Sequence, residues 1–296
     1  MRVFVTGASG HVGAAVVPEL LSAGHEVIGL ARSDASAAVL AERGARVRRG
    51  DLDDLDGLRA AAAEADGVIH LAFKHDAMMS GDYAGAVAAD LIALQVIGEA
   101  LVGTGKPLVA TTGTLMLAGL DHVGTEDDVF PSGHRVDAEN FVRGLADRGV
   151  RSSVVRLPPS VHSALDKHGF VPNLIRIARS TGVSAYVGDG GNRWPAGHTL
   201  DVGRIYRLAL DNAPAGTVLH AVGDEGIPFR ELAEAIGRLA GVPAASIAPD
   251  EAEARFGFLA PMVQVDNPTS ATRTREILDW KPEHPGLLDD LAISYS

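Results

Sequence analysis

The sequence predicts a doubly wound, parallel α/β sheet followed by a smaller α/β lobe. Two observations carry this reading. Short, nearly all-apolar runs alternate strictly with helical patterns through the first half of the chain, and three glycines stand between the first run and the first helix. Strands buried on both faces read as continuous apolar runs because neither face meets water.

Taken in order, residues 3–6 read as a strand, 12–21 as a helix, 26–31 as a strand, 35–43 as a helix and 45–49 as a strand. A helix over 55–64, a strand over 67–72, a long helix over about 82–102, a strand over 108–112, a helix over 135–148 and a strand over 151–157 complete the alternation. After Pro158-Pro159 the pattern gives way to loops rich in Gly and His. The chain is therefore divided into a dinucleotide-binding unit, residues 1–157, and a mainly substrate-binding lobe, residues 158–296, with part of 199–222 returning to the sheet. Strands near 185–187 and 217–221 fit either the main sheet or a small one, and amphipathic helices at 229–240 and 272–278 are assigned to the second lobe.

Thr6-Gly7-Ala8-Ser9-Gly10-His11-Val12-Gly13 has the context that gives a glycine motif meaning, after a strand and opening a helix. In a Rossmann sheet Gly7 permits the tight turn, Gly10 lets the backbone approach a pyrophosphate, and Gly13 lets helix and strand pack closely. Gly7, Ser9, Gly10, His11, Val12 and Gly13 are thus expected around the phosphates, which the helix N-terminus attracts. The second strand ends Ala31-Arg32-Ser33-Asp34. Arg32, with Ser33 beside it, stands where a 2′-phosphate would lie, so NADP(H) is favoured; NAD(H) remains the alternative if Asp34 reaches the ribose.

Composition narrows the chemistry. The 296 residues include no cysteine, which excludes disulfides, thiol nucleophiles and cysteine-based metal sites. A net charge of −12 with scattered basic residues argues against nucleic acid or anionic membrane and for a small-molecule partner. Neither HExxH nor GxSxG occurs, and no metal is expected. The motif begins at once after Met1, and the apolar stretch 91–102 is short and interrupted by Gln95 and Glu99, so a cytoplasmic location is expected.

Over nearly its full length the chain resembles the extended or atypical short-chain dehydrogenases/reductases, the NAD(P)-dependent epimerase/dehydratase-like group. The TGxxGxxG spacing of Thr6 to Gly13 carries the resemblance, as do Gly50-Asp51-Leu52, His70-Leu71-Ala72, Arg156-Leu157-Pro158-Pro159 and the ending Leu278-Asp279-Trp280-Lys281-Pro282. It implies that Asp51 and Leu52 meet the adenine, that Leu71, Ala72, Phe73 and Thr111 line the cofactor, and that Pro158 approaches the nicotinamide. A homodimer is also implied.

The family uses a Tyr proton donor with a Lys four residues later, and these positions fall on Pro131 and Arg135. Proline cannot transfer a proton, whereas Arg135 can still set a fixed positive charge near the ribose. The family's catalytic Ser or Thr aligns with Gly113, leaving Thr112 or Thr114 as substitutes. Replacement donors are sought in loops at the C-terminal sheet edge: His75, His134 and Tyr83. Tyr186, Trp194 and His198 either line a substrate pocket or pack the second lobe. The expected activity is reduction of a carbonyl, C=N or C=C bond on a small, partly apolar substrate. The alternatives are a cofactor-binding sensor that has lost catalysis, or a sugar-nucleotide epimerase or dehydratase.

Overall fold

The computed structural model describes residues 1–133 and 135–296. Its strands are β1 (Arg2–Thr6), β2 (Glu26–Ala31), β3 (Arg46–Arg49), β4 (Gly67–His70), β5 (Pro107–Gly113), β6 (Arg151–Leu157), β7 (Ser160–His162), β8 (Ser184–Val187), β9 (Arg193–His198), β10 (Thr217–His220), β11 (Asp224–Pro228) and β12 (Ala244–Ile247). The helices are α1 (Gly13–Ser22), α2 (Asp34–Glu42), α3 (Leu55–Glu64), α4 (His75–Met79), α5 (Tyr83–Leu101), α6 (Val136–Gly144), α7 (Phe170–Thr181), α8 (Thr199–Asn212), α9 (Phe229–Ala240), α10 (Ala252–Phe256), α11 (Thr272–Leu278) and α12 (Leu287–Ser294).

Seven strands form one sheet in the order β10-β6-β5-β4-β1-β2-β3, every neighbouring pair parallel. The chain first winds outward from β1 to β3, then restarts on the other side of β1 with β4. The order therefore reverses between β1 and β4, and ligands of open α/β sheets bind in the crevice at such a reversal. Helices α1 and α8 pack on one face, sharing a core with Val3, Val5, Ile69 and Val155. Helices α3 and α5 cover the other, burying Leu58, Ala93 and Ile97 against Phe4, Val68 and Leu108. The edge strand β3 carries Arg46, Arg48 and Arg49, charges that discourage pairing with another strand.

Helix α5 runs for 19 residues with mean hydropathy 1.6 in its most apolar window, long and apolar enough by composition to cross a membrane. It matches the long helix expected over 82–102, and its apolar run begins earlier than residue 91. Here Ala93, Leu94, Ile97 and Leu101 are fully buried against the sheet and its helices.

Of the two later strands left open by the sequence, β10 joins the main sheet beside β6, within the 199–222 stretch expected to return to it, while β8 pairs with β12 in a two-stranded sheet; β11-β9-β7 form a third. Two helices depart from the sequence expectation. Helix α8, which the pattern did not single out, spans residues 199–212 and packs directly on α1; a Cβ on Gly203 would lie 2.8 Å from the Ala15 Cβ. Helix α11 was assigned to the second lobe but belongs to the main sheet's core, where Leu278 and the following Trp280 pack with Ile205 and Leu219. Amphipathic spacing shows that a helix buries one face, not which surface receives it. The second lobe's own core gathers α7, α9 and α12 around Trp194, Phe229 and Leu232.

Candidate active site

Gly7 follows β1 in the left-handed region at φ 67°, and a Cβ there would sit 2.7 Å from the Ala72 amide nitrogen. A Cβ on Gly13 would come within 2.5 Å of the carbonyl oxygens of both Gly7 and Ala8. The turn is closed by a hydrogen bond from the Gly10 amide to the Gly7 carbonyl at 3.0 Å. No side chain caps the start of α1. No side chain thus blocks the N-terminus of α1, and a cradle so tight that Gly7 and Gly13 admit no Cβ fits a dinucleotide pyrophosphate. His11 leaves the turn toward the second lobe, its Nε2 2.8 Å from Thr199 Oγ1 and its Nδ1 3.9 Å from Asp166. Burial holds this imidazole below its ordinary pKa, against the opposing pull of Asp166.

The ends of β2 and β3, where the sequence places the adenosine, carry a rim of paired charges. Arg32 meets Asp76 at 2.9 Å, with both side chains mostly exposed. Asp34 is engaged by Arg49. The Ser33 hydroxyl caps α2 by accepting the Ser36 amide at 3.1 Å. Asp51 closes its turn by accepting the Asp53 and Asp54 amides, and Leu52 is buried beside it. Arg43 donates to the Ala8 carbonyl at 2.8 Å, bracing the glycine turn from behind.

The opposite side, at the ends of β4 and β5, brings together residues far apart in sequence. The Arg135 guanidinium lies 4.7 Å over the Phe73 ring, and the His75 ring meets Phe73 edge-on at 5.2 Å. His75 opens the short helix α4, not foreseen from the sequence, and keeps an exposed edge. Loss of hydration to the surrounding protein, and then the facing Arg135 charge, push its pKa below the ordinary 6.5. Arg135 donates to the Thr111 carbonyl at 2.5 Å and to Asp90 at 3.3 Å. Tyr83 begins α5 with an exposed side chain, and Pro158 is buried directly after β6. His134 lies outside the described residues.

Two threonine expectations are corrected. The Thr112 hydroxyl donates to Glu139 at 3.1 Å and that of Thr114 to Asn267 at 2.9 Å, both fully inside the protein. Each donor is spent on a buried acceptor, which removes it as a substitute for the catalytic Ser. Thr111 directs its hydroxyl to the His70 carbonyl and Tyr206, on the α8 face of the sheet, and its carbonyl accepts from Arg135. Trp194 packs between Phe170 and Phe229 with its indole N–H on the Met262 carbonyl, and is core rather than pocket wall. Tyr186 lies under the Arg230 guanidinium, 5.7 Å from its ring centre, and packs against that lobe's core.

His198 stacks on His284 at 4.5 Å and 5°, and with Asp201 these residues place one donor atom each within 4.8 Å of one another. Asp201 already accepts the Glu283 and His284 amides and the His284 ring N–H. Parallel stacked rings send their lone pairs side by side rather than toward a common point. The cluster anchors the C-terminal segment onto α8.

Sequence reasoning missed the charged groups beneath the site: Asp90, Glu139 and Arg156, each no more than 1% exposed. Asp90 had a visible signal, an acid inside an otherwise apolar helix.

The chain matches the model of the NAD dependent epimerase/dehydratase family over residues 3–221. It is similar to an uncharacterized protein of Schizosaccharomyces pombe, 46% identical over 99% of this chain and 98% of that one. Another uncharacterized protein, from Saccharomyces cerevisiae, is 44% identical over 100% of this chain and 99% of its own. The 2'-dehydrokanamycin reductase of Streptomyces kanamyceticus is 29% identical over 100% of this chain and 80% of its own. Among solved structures, MoeE5 in complex with UDP-glucuronic acid and NAD has the same fold, with a TM-score of 0.77 at 24% identity, covering 99% of this chain and 97% of that one.

Proposed function

The chain belongs to the NAD dependent epimerase/dehydratase family, and from that premise we propose that it is an NADPH-preferring oxidoreductase that reduces a carbonyl, or a related C=N or C=C bond, on a small, partly apolar substrate. The observation that carries this reading is the juxtaposition of an open glycine cradle with the His75, Phe73 and Arg135 cluster at one edge of the sheet. A reductase among the relatives supports the direction of the chemistry.

When bound, the reduced nicotinamide supplies a hydride. The residues of the chain do the rest. Arg135, held by Asp90 and the Thr111 carbonyl, would set a fixed charge toward the nicotinamide-side ribose of a bound cofactor. His75 donates the proton that the absent Tyr would have given. The test is fluorescence titration with NADPH and NADH, followed by a panel of ketones, aldehydes and imines. Cofactor consumption with any of them supports the reading; tight binding without turnover favours a sensor.

Two results are expected. A donor must be protonated, and the His75 pKa is depressed below 6.5. Reductive turnover therefore falls as pH rises through that lowered value, and His75→Gln flattens the profile while lowering its acid plateau. Arg32→Ala weakens NADPH binding about tenfold, close to 1.4 kcal/mol, and leaves NADH binding unchanged. Its partner Asp76 is too exposed for their ion pair to matter to stability. Unchanged binding of both cofactors would assign Arg32 to the surface.

A further inference from the structure

We infer that a hydrogen-bond chain in which Thr6 donates to His70 and His70 to Asp90, with Arg135 donating to the same carboxylate from the other side, makes the glycine turn and the ribose-facing guanidinium one unit, with Asp90 as the positioning residue. The inference rests on the reading of Arg135 given above and extends it to residues that touch no ligand.

The direction of each bond follows from counting lone pairs. Thr6 Oγ1 accepts the amides of Leu71 and Ala72, both at 3.2 Å. A hydroxyl has two lone pairs, so both are taken and its proton is left to donate. The remaining neighbour is His70 Nδ1 at 3.0 Å, which must therefore be the acceptor. That leaves the hydrogen of the imidazole on Nε2, 3.2 Å from Asp90 Oδ1. Asp90 Oδ2 in turn accepts from Arg135. The carboxylate thus receives a donor on each oxygen and has none to give.

His70 and Asp90 are each 1% exposed at the side chain, so no water competes for these bonds. Burial works against the Asp90 charge, but the His70 hydrogen bond and the Arg135 guanidinium outweigh it and hold the carboxyl below its ordinary range. Arg135 Nε has no partner among the described residues, so the guanidinium is fixed through Nη2 alone. Without Asp90 the remaining restraints are a single carbonyl and the Phe73 face. Thr6 sits immediately before Gly7, so the same chain that orients Arg135 also fixes the strand end from which the pyrophosphate turn starts.

An amide at position 90 cannot accept from both sides, because one of its two heads is itself a donor. Asp90→Asn, Arg135→Met and the double variant therefore test the chain through the dissociation constant for the oxidised dinucleotide, measured without substrate. Each single variant is expected to bind about tenfold more weakly, the loss of one charge-assisted hydrogen bond, and the double variant no more weakly than Arg135→Met alone. His70→Leu, which removes the donor to Asp90 Oδ1 while leaving the Leu71 and Ala72 amides on Thr6, should weaken binding in the same way and serves if that variant does not fold. Weakened binding in Arg135→Met with Asp90→Asn unchanged, or losses that multiply to about a hundredfold in the double variant, overturns the inference. Full binding by Arg135→Met instead overturns the reading of Arg135 on which it stands.

Discussion

Glu139→Ala is expected to destabilise the protein by about 3–5 kcal/mol, read as a large fall in the midpoint of urea denaturation. Glu139 and Arg156 form an ion pair with 1% and 0% of their side chains exposed. Arg156 donates to both carboxylate oxygens, from Nε at 2.9 Å and Nη2 at 2.5 Å. Its remaining donors reach the carbonyls of Thr125 and Asp128 and the His220 imidazole. The His220 ring gives its own N–H to the Ser270 carbonyl, so its Nε2 is the acceptor. One guanidinium thus joins β6, β10, α6 and the 120s loop, and Thr112 adds β5.

The size of the effect comes from what is left behind. Removing the acid strands a cation where water cannot reach it, and that cost exceeds the net worth of the pair. The double change Glu139→Leu with Arg156→Met removes both charges at similar volume and should recover most of the loss. Equal destabilisation of the single and double variants would show instead that the bonds from Arg156 to the 120s loop matter more than the pairing.

Gly13→Ala is expected to weaken dinucleotide binding by about a hundredfold or more, corresponding to roughly 2.7 kcal/mol or more. The added methyl would meet two backbone carbonyl oxygens at 2.5 Å, and backbone, unlike a flexible side chain, cannot turn aside. Relief requires α1 to move away from β1, which opens the pyrophosphate cradle and disturbs its packing on α8. Gly10→Ala is the informative comparison. Its Cβ would lie 3.2 Å from the Gly7 carbonyl, a much milder conflict, so a loss in Gly10→Ala would report contact with the ligand more than distortion of the turn. Fluorescence titration of both variants, with thermal unfolding of each without ligand, separates the two causes.

How far the sequence could be read depended on the range of the interactions concerned. The alternation of apolar runs and helical patterns, and the three glycines at fixed offsets after a strand, are local, and they made the parallel sheet and the glycine turn legible, whereas the strand order and its reversal point came from the fold. The absent Tyr was equally legible, since Pro131 excludes proton transfer whatever surrounds it. The fate of polar side chains was not. Thr112 and Thr114 had the right type at a plausible strand end, and only the approach of Glu139 and Asn267, 27 and 153 residues away, showed their hydroxyls to be spent inside the protein. The destination of α11 and β10, and the meeting of His75 with Arg135 across Phe73, were likewise settled by packing between distant segments. A backbone pattern repeats within a few residues and can be read along the chain. A hydrogen-bond partner is whichever group the fold brings near, and that is decided in three dimensions.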